Sequence, residues 1–286
     1  MASRKLPRKA SSSLGAPYLR SIRSDPERMN GTHFPFNIPA FCNGIALDLP
    51  TPVTFFVGEN GSGKSTLLEA LAEICGFNPE GGNRDHYREA REDRSELAQA
   101  LKLSWMPKMT EGFFMRAESF YNFASYLDGS GSDFTAYGGK SLHRQSHGES
   151  FLALFQSRFE HGLFILDEPE AALSPQRQLA FLRIIHQLEV PRHAQFLIAT
   201  HSPILLAYPD ATLYQFEEDG IREVAYRETD HYLVTKEFLN GPERILRYLF
   251  SEEEESDDRN CYRYEPLPLI FDKRCRCITQ SGCSDS

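Results

Sequence analysis

Gly58-Glu59-Asn60-Gly61-Ser62-Gly63-Lys64-Ser65 decides the fold, because this stretch fits the pattern G-x-x-x-x-G-K-[ST] at every position. Its glycines let the backbone turn tightly and present N–H groups to phosphate oxygens. The apolar run Phe55-Phe56-Val57 precedes the loop, and Ser65–Cys75 follows it with helical spacing. A helix at this point would aim its positive N-terminus at a bound phosphate. The sequence therefore predicts a nucleotide-binding loop between a strand and a helix.

Two side chains at the end of this loop have the chemistry to hold a nucleotide and its metal. The Lys64 ammonium would reach the β- and γ-phosphates of ATP, and the Ser65 hydroxyl would ligate Mg²⁺. The residues predicted to contact ATP here are Gly58, Glu59, Asn60, Gly61, Ser62, Gly63, Lys64, Ser65 and Thr66.

A second candidate site follows the apolar run Leu163–Leu166, where the chain continues Asp167-Glu168-Pro169. A strand buried on both faces delivers such acids to its carboxyl end, where α/β proteins bind ligands. We expect Asp167 to hold Mg²⁺, directly or through water. Glu168 is the natural base for an attacking water molecule.

The remaining elements predict an α/β fold. Short apolar runs of the kind found in buried strands occur at Val53–Val57, Phe113–Arg116, Leu163–Leu166 and Phe196–Thr200. Helical stretches separate several of them: Ser65–Cys75 before Gly76, Glu149–Glu160, and Gln176–Glu189 after Ser174 and Pro175. Asp219-Gly220 marks a hairpin between Ala211–Phe216 and Ile221–Tyr226. This alternation predicts a mostly parallel central sheet flanked by helices.

Composition sets the limits of this interpretation. The 286 residues are 41% hydrophobic and carry a net charge of −9, which excludes a collagen-like, coiled-coil or wholly disordered chain and argues against a nucleic-acid-coating protein. No apolar window is long enough to cross a membrane. Residues 1–24 are basic and contain no acid, which predicts a flexible tail. Residues 251–286 begin with an acidic run and hold four of the six cysteines, which predicts a separate appendage.

Three further motifs give the chain a family resemblance. Ser146-His147-Gly148-Glu149-Ser150 resembles the signature motif of the ABC-class P-loop ATPases, and a helical stretch separates it from Asp167. Ala171–Pro175 resembles the loop that follows their acid pair, and His201 resembles their switch histidine. With the P-loop (Walker A) and the acid pair (Walker B), five motifs stand in the family's order. The resemblance covers residues 30–245 and is to the soluble AAA-family ATPases of the SMC/RecF/OLD-like branch.

This resemblance implies a P-loop NTPase fold of the ABC-ATPase type, with a small helical subdomain at about 78–160 inside an ATPase domain at 25–250. It also implies an enzyme that converts ATP and water to ADP and phosphate, with Glu168 and His201 as catalytic residues. Two copies would sandwich two ATP molecules, each P-loop being completed by Ser146, Gly148 and Glu149 of the other copy. Hydrolysis would then open the homodimer.

The sequence also departs from the family pattern. The glutamine expected after the middle strand is not evident, and Arg116 and Glu118 are the candidates to replace it. Phe36 and Phe41 are weak candidates to stack on adenine. His147 stands where a glycine is common, and Ser174 replaces an acid.

Two function classes compete. Thr200-His201-Ser202-Pro203 favours a soluble, cytoplasmic ATPase of DNA repair, chromosome maintenance or defence, since transporter motors more often carry an acid after the histidine. The alternative is the ATP-binding subunit of an ABC membrane transporter, which would need a membrane subunit. The interval between Lys64 and Ser146 is too short for long coiled-coil arms, and too little chain follows His201 for a nuclease domain. Any effector or nuclease would therefore be a separate chain, and DNA binding is a hypothesis by analogy. A P-loop kinase is a third reading, but it leaves the signature motif and His201 without a role.

Overall fold

The apolar runs of the sequence form the strands of a six-stranded sheet in the computed structural model, which describes residues 15–29, 33–78, 95–116, 152, 155 and 161–250. In spatial order the strands are β5 (Gly112–Arg116), β6 (Gly162–Asp167), β7 (Ala194–Ala199), β3 (Val53–Gly58), β8 (Thr212–Glu217) and β9 (Gly220–Glu223).

The pairing of these strands brings the candidate site residues to one edge. The first five strands are parallel, and β9 returns antiparallel to β8. The register aligns Arg116 with Asp167 and Asp167 with Ala199. Because parallel strands end at the same edge, the P-loop, the acid pair and the switch histidine all leave the sheet on one side. The predicted α/β fold with a mostly parallel sheet is confirmed.

The helices around this sheet follow the predicted end signals. They are α1 (Lys64–Cys75), α2 (Glu96–Ala100), α3 (Pro175–Glu189) and α4 (Pro203–Leu206). Gly76 ends α1 in the left-handed conformation, where its N–H bonds to the carbonyls of Ala72 and Glu73. Ser174 caps α3 by accepting the N–H of Arg177 at 3.4 Å. Of the predicted helix at 149–160, the structure describes only Leu152 and Phe155, and both are helical.

The helix after the P-loop is held by its apolar face. Leu67, Leu68 and Leu71 are fully buried in one cluster that also contains Phe56 of β3 and Ile165 of β6. Burying a side chain of this size contributes about 1.5–3 kcal/mol relative to leaving it exposed. The packing therefore fixes the start of α1, and with it Lys64 and Ser65, against the strands that carry the other site residues.

A second, antiparallel sheet corrects the prediction of a flexible tail at 1–24. It consists of β2 (Ala46–Asp48), β1 (Leu19–Ser24) and β4 (Leu101–Trp105), in that order. Leu19 and Ile22 of β1 are fully buried. The Gln195 side chain accepts the Leu19 N–H and donates to the Leu19 carbonyl, both at 2.8 Å. The prediction was wrong for this segment because it relied on the basic residues and overlooked the inward-facing apolar positions of a strand. Residues 1–14 lie outside the described part of the chain.

Other boundaries also differ from the prediction. The hairpin is present, but its second strand ends at Glu223, and a 3-10 helix occupies Tyr226–Glu228. The predicted helical part at 78–160 contains β4 and β5 besides α2, and most of the rest of it lies outside the described residues. The chain divides between Val224 and Ala225 into two compact units, so the unit with the P-loop ends before the predicted position 250.

The second unit, described by itself, contains the helices α5 (Asp230–Asn240) and α6 (Pro242–Phe250). Thr229 caps α5 by accepting the N–H of Tyr232 at 3.3 Å. The appendage predicted at 251–286, with its four cysteines, lies outside the described residues. Within the described ranges, no helix combines the length and the apolar character that a membrane crossing requires.

Candidate nucleotide-binding site

The P-loop connects β3 to α1 through a backbone that only glycine adopts without strain. Gly63, the N-cap of α1, has φ +103, and a Cβ there would lie 2.9 Å from the Phe41 ring and 3.0 Å from Ile38. Gly61 also has a positive φ, +78, but a Cβ there would meet no atom of the described part of the chain within 4 Å. The loop is therefore closed against the protein on one side and open on the other, as phosphate binding requires.

The difference between these two glycines gives a test of the loop geometry. Gly63→Ala is expected to lower the free energy of unfolding by about 2 kcal/mol, because it combines backbone strain with a clash. Gly61→Ala is the matched control and should cost only the strain, about 1 kcal/mol. Urea unfolding of both variants measures the difference. Equal losses would contradict the packing of Gly63 against Phe41.

Lys64 places its ammonium at the centre of the loop. Nζ donates to the carbonyl oxygens of Gly58 at 2.8 Å and of Glu59 at 2.9 Å, and the residue is only 4% exposed. Burial lowers the pKa of this ammonium, although the acids around it act in the opposite direction. Two neutral carbonyls compensate a buried cation poorly. A polyphosphate entering the loop would bring negative charge into direct contact with the ammonium.

Ser65 of α1 and Asp167 of β6 contact each other beside the P-loop. The Ser65 hydroxyl donates to Oδ1 of Asp167 at 3.1 Å, and Asp167 is 4% exposed. Burial raises the pKa of this carboxyl, while the Ser65 hydroxyl and Arg116 act in the opposite direction. Mg²⁺ prefers hard oxygen ligands and binds proteins through one or two carboxylates together with substrate phosphates. A hydroxyl and a carboxylate oxygen beside the P-loop lysine therefore fit Mg²⁺.

Glu168 and His201 face each other beside this pair. Oε1 of Glu168 lies 3.5 Å from Nε2 of His201, and the Glu168 side chain is 42% exposed, so water can reach it. Glu168 has φ +50, an uncommon left-handed conformation for a side-chain-bearing residue, and its N–H bonds to Ala199 of β7 at 2.9 Å. Burial lowers the pKa of His201, and the charge of Lys64 acts in the same direction. A neutral imidazole at neutral pH can donate one N–H to an anionic oxygen.

Glu170 is a site residue that the sequence analysis missed. Its Oε1 accepts the backbone N–H of His201 at 2.6 Å, and burial raises the pKa of its carboxyl. It thus fixes the backbone that carries the switch histidine. The signal was present, since Glu170 follows Asp167, Glu168 and Pro169 directly, but its contact with the next strand's end depends on the fold.

A buried chain of hydrogen bonds ties the switch segment to α3. The Ser202 hydroxyl donates to Oε1 of Gln178 at 2.5 Å, and Nε2 of Gln178 donates to the Leu173 carbonyl at 3.2 Å. The same hydroxyl accepts the N–H groups of Ile204 and Leu205 and so caps α4. Ser202, which follows His201, therefore stabilises the start of α4 and links it to α3.

Several of the predicted site residues are not part of the described site. The signature residues Ser146, Gly148 and Glu149 lie outside the described residues, as does Glu118. Phe36 and Phe41 are 4% and 1% exposed, so neither ring presents a face on which adenine could stack. The suggestion that they bind the base was wrong, because both are part of the core.

Two stretches of the chain match known protein families. Residues 36–115 match a family described as "AAA domain", and residues 149–207 match one described as "AAA domain, putative AbiEii toxin, Type IV TA system". None of the curated proteins matches the chain. The matched stretches contain the P-loop and the acid pair respectively, and they confirm the resemblance to AAA-family P-loop ATPases.

The chain is also similar to solved structures at low sequence identity. The SMC head domain from Thermotoga maritima is 16% identical, with a TM-score of 0.42 over 73% of this chain and 98% of that chain. The cbiO1 protein from Clostridium perfringens, part of the ABC transporter complex cbiONQ, is 16% identical, with a TM-score of 0.44 over 81% of this chain and 99% of that chain.

Proposed function

We propose that this nucleotide-binding P-loop protein, which resembles the ABC-class ATPases, hydrolyses ATP to ADP and phosphate with Mg²⁺ as its metal. One observation carries the proposal: the Ser65–Asp167 pair and the Glu168–His201 pair lie together at the edge of the sheet where the P-loop begins α1. The first pair has the chemistry to hold a metal. The second has the chemistry to activate water and to contact a phosphate.

The loop residues first bind the nucleotide. The ammonium of Lys64 exchanges its two carbonyl partners for oxygens of the β- and γ-phosphates, and the N–H groups of residues 58–66 surround the phosphates. Ser65 and Asp167 would hold Mg²⁺, which would neutralise charge on the phosphate oxygens. Glu168 follows Asp167 directly and would face the γ-phosphate.

The two catalytic residues then act on water and phosphate. Glu168 accepts a proton from a water molecule as the water oxygen bonds to the γ-phosphorus. The bond between the γ-phosphorus and the oxygen that bridges to the β-phosphate breaks, and ADP and phosphate leave. His201 donates a hydrogen bond to a γ-phosphate oxygen, where charge is present before and during the reaction. Glu170 keeps the His201 backbone in position.

A second copy of the chain completes the site in this proposal. Ser146, Gly148 and Glu149 of the other copy would approach the γ-phosphate from the open side of the loop, where a Cβ added to Gly61 would meet no atom of the described residues within 4 Å. A hydroxyl and a backbone N–H at a helix N-terminus are suitable phosphate ligands. Loss of the γ-phosphate would remove the group that joins the copies, and the dimer would open.

We assign the activity to DNA repair, chromosome maintenance or defence rather than to a transporter. The sequence Thr200-His201-Ser202-Pro203 supports this assignment, and the family description that names a toxin of a TA system is in line with the defence branch. A separate effector or nuclease chain and DNA are the proposed partners. Under the transporter alternative, the partner would be a membrane subunit.

The direct test is phosphate release from ATP by the full chain, measured with Mg²⁺ and with EDTA in its place. We expect release only with Mg²⁺. Binding of ATP without any phosphate release, in the presence and absence of double-stranded DNA, would contradict the proposed activity. A stimulation by DNA would favour repair or maintenance over the transporter alternative.

A further inference from the structure

Arg116 lies where three elements of the site meet. It is the last residue of β5, and the parallel register places it beside Asp167 at the end of β6. Its Nε lies 3.2 Å from Oδ2 of Asp167, and its Nη1 lies 2.7 Å from Oε1 of Glu69. The guanidinium thus joins the predicted metal ligand to the helix that follows the P-loop.

The two oxygens of Asp167 have different partners. Oδ1 accepts from Ser65, the other predicted metal ligand, whereas Oδ2 is taken by the Arg116 guanidinium. Arginine is always charged and has no lone pair with which to ligate a metal. Arg116 therefore cannot itself ligate a metal at this position. It places a permanent positive charge next to the carboxylate that is predicted to hold Mg²⁺.

Glu69 provides a second anchor for this charge. It follows Ser65 by one turn of α1, so both side chains lie on the same face of the helix. Burial raises the pKa of the Glu69 carboxyl, and the charge of Arg116 opposes this shift. The Arg116 side chain is 32% exposed, and it contacts Glu69 and Asp167 through different nitrogens, Nη1 and Nε.

We propose that Arg116 is a positioning residue that neutralises Asp167 while the metal is absent and gives up this carboxylate when the nucleotide binds with Mg²⁺. The proposal rests on the proposed function, since it concerns the same nucleotide site. A buried carboxylate without a cation would repel the phosphates of a metal-free nucleotide, and Arg116 removes this repulsion. With Mg²⁺ present the two cations compete for Asp167, and Glu69 retains the displaced guanidinium.

This competition predicts opposite effects of one substitution in two conditions. In Arg116→Gln, ADP binding in EDTA should weaken about tenfold, because the Asp167 charge then acts on the phosphates without the opposing charge of Arg116. Mg²⁺ should strengthen ADP binding in both proteins. The Mg²⁺ concentration that gives half of this effect should be about tenfold lower in the variant, because the competing cation is gone. Calorimetric titration of the full chain with ADP, in EDTA and across a Mg²⁺ series, measures both quantities. Arg116→Lys, which keeps the charge, is the matched control and should resemble the wild type.

Two further variants separate this role from a purely structural ion pair. Glu69→Gln leaves Arg116 with Asp167 alone, so the half-saturating Mg²⁺ concentration should rise. In an Asp167→Asn background, Arg116→Gln should no longer weaken ADP binding in EDTA. Equal losses of ADP binding with and without Mg²⁺ in Arg116→Gln, or no shift in Glu69→Gln, would overturn the proposal. A wild-type chain that does not bind ADP at all would refute the proposed nucleotide site itself.

Discussion

Replacing Lys64 by alanine is expected to weaken binding of Mg-ATP about 100-fold, which corresponds to about 2.7 kcal/mol. A hydrogen bond to a charged group contributes about 1.5–3 kcal/mol, and the Lys64 ammonium can make more than one to the phosphates. Equilibrium titration with a fluorescent ATP analogue measures the loss. The chain itself should fold at least as well without nucleotide, because the substitution removes a buried cation whose ammonium donates to two neutral carbonyls.

Lys102→Ala is the matched control for this substitution. Lys102 lies in β4 of the antiparallel sheet, is 73% exposed and pairs with Asp25. The substitution deletes the same side chain and the same charge as Lys64→Ala does. ATP affinity should stay within about twofold, since an exposed ion pair contributes little to stability. An Lys64→Ala variant that binds ATP as well as Lys102→Ala does would contradict the proposed phosphate contact.

The second large effect is expected for Glu168→Gln. Loss of a general base lowers a rate by about 10²–10⁴-fold, so phosphate release should fall to this extent while ATP binding persists. The amide preserves the size of the side chain but cannot accept a proton from water. Single-turnover measurements with radiolabelled ATP follow the chemical step apart from product release.

Glu170→Gln is the informative comparison, because the two acids stand two positions apart and Glu170 is bound to the His201 backbone. The amide oxygen of glutamine can still accept the His201 N–H, so the rate should fall far less than in Glu168→Gln. A larger loss in Glu170→Gln than in Glu168→Gln would transfer the role of base to Glu170. It would also mean that the Glu168–His201 contact does not mark the catalytic base.

The fold could be predicted from local patterns where the pattern itself has a physical cause. The apolar runs before the P-loop and before Asp167 are inner strands, because only a strand covered on both faces is apolar throughout. The glycine after α1 ends that helix, and the serine before α3 caps the beginning of that helix, both as predicted. The antiparallel sheet was missed because its strands are half-buried and β2 has only three residues.

The site was predicted where neighbouring residues carry the motif and missed where contacts join distant segments. Lys64, Ser65, Asp167, Glu168 and His201 were named from the sequence, and the structure brings them together. Contacts of Glu170 with the His201 backbone and of Arg116 with Glu69 depend on strand order and on the face of α1. No spacing in the sequence encodes them.

The solution mass of Glu168→Gln, measured by light scattering with and without Mg-ATP, tests most directly whether ATP is bound between two copies of the chain. We expect the mass of the 32.6 kDa chain without nucleotide and twice that mass with Mg-ATP. The doubling should disappear in EDTA and in the combined Lys64→Ala, Glu168→Gln variant. A chain that binds Mg-ATP and keeps the mass of one copy would contradict the sandwich, and the roles of Ser146 and Gly148 would be the first to be withdrawn.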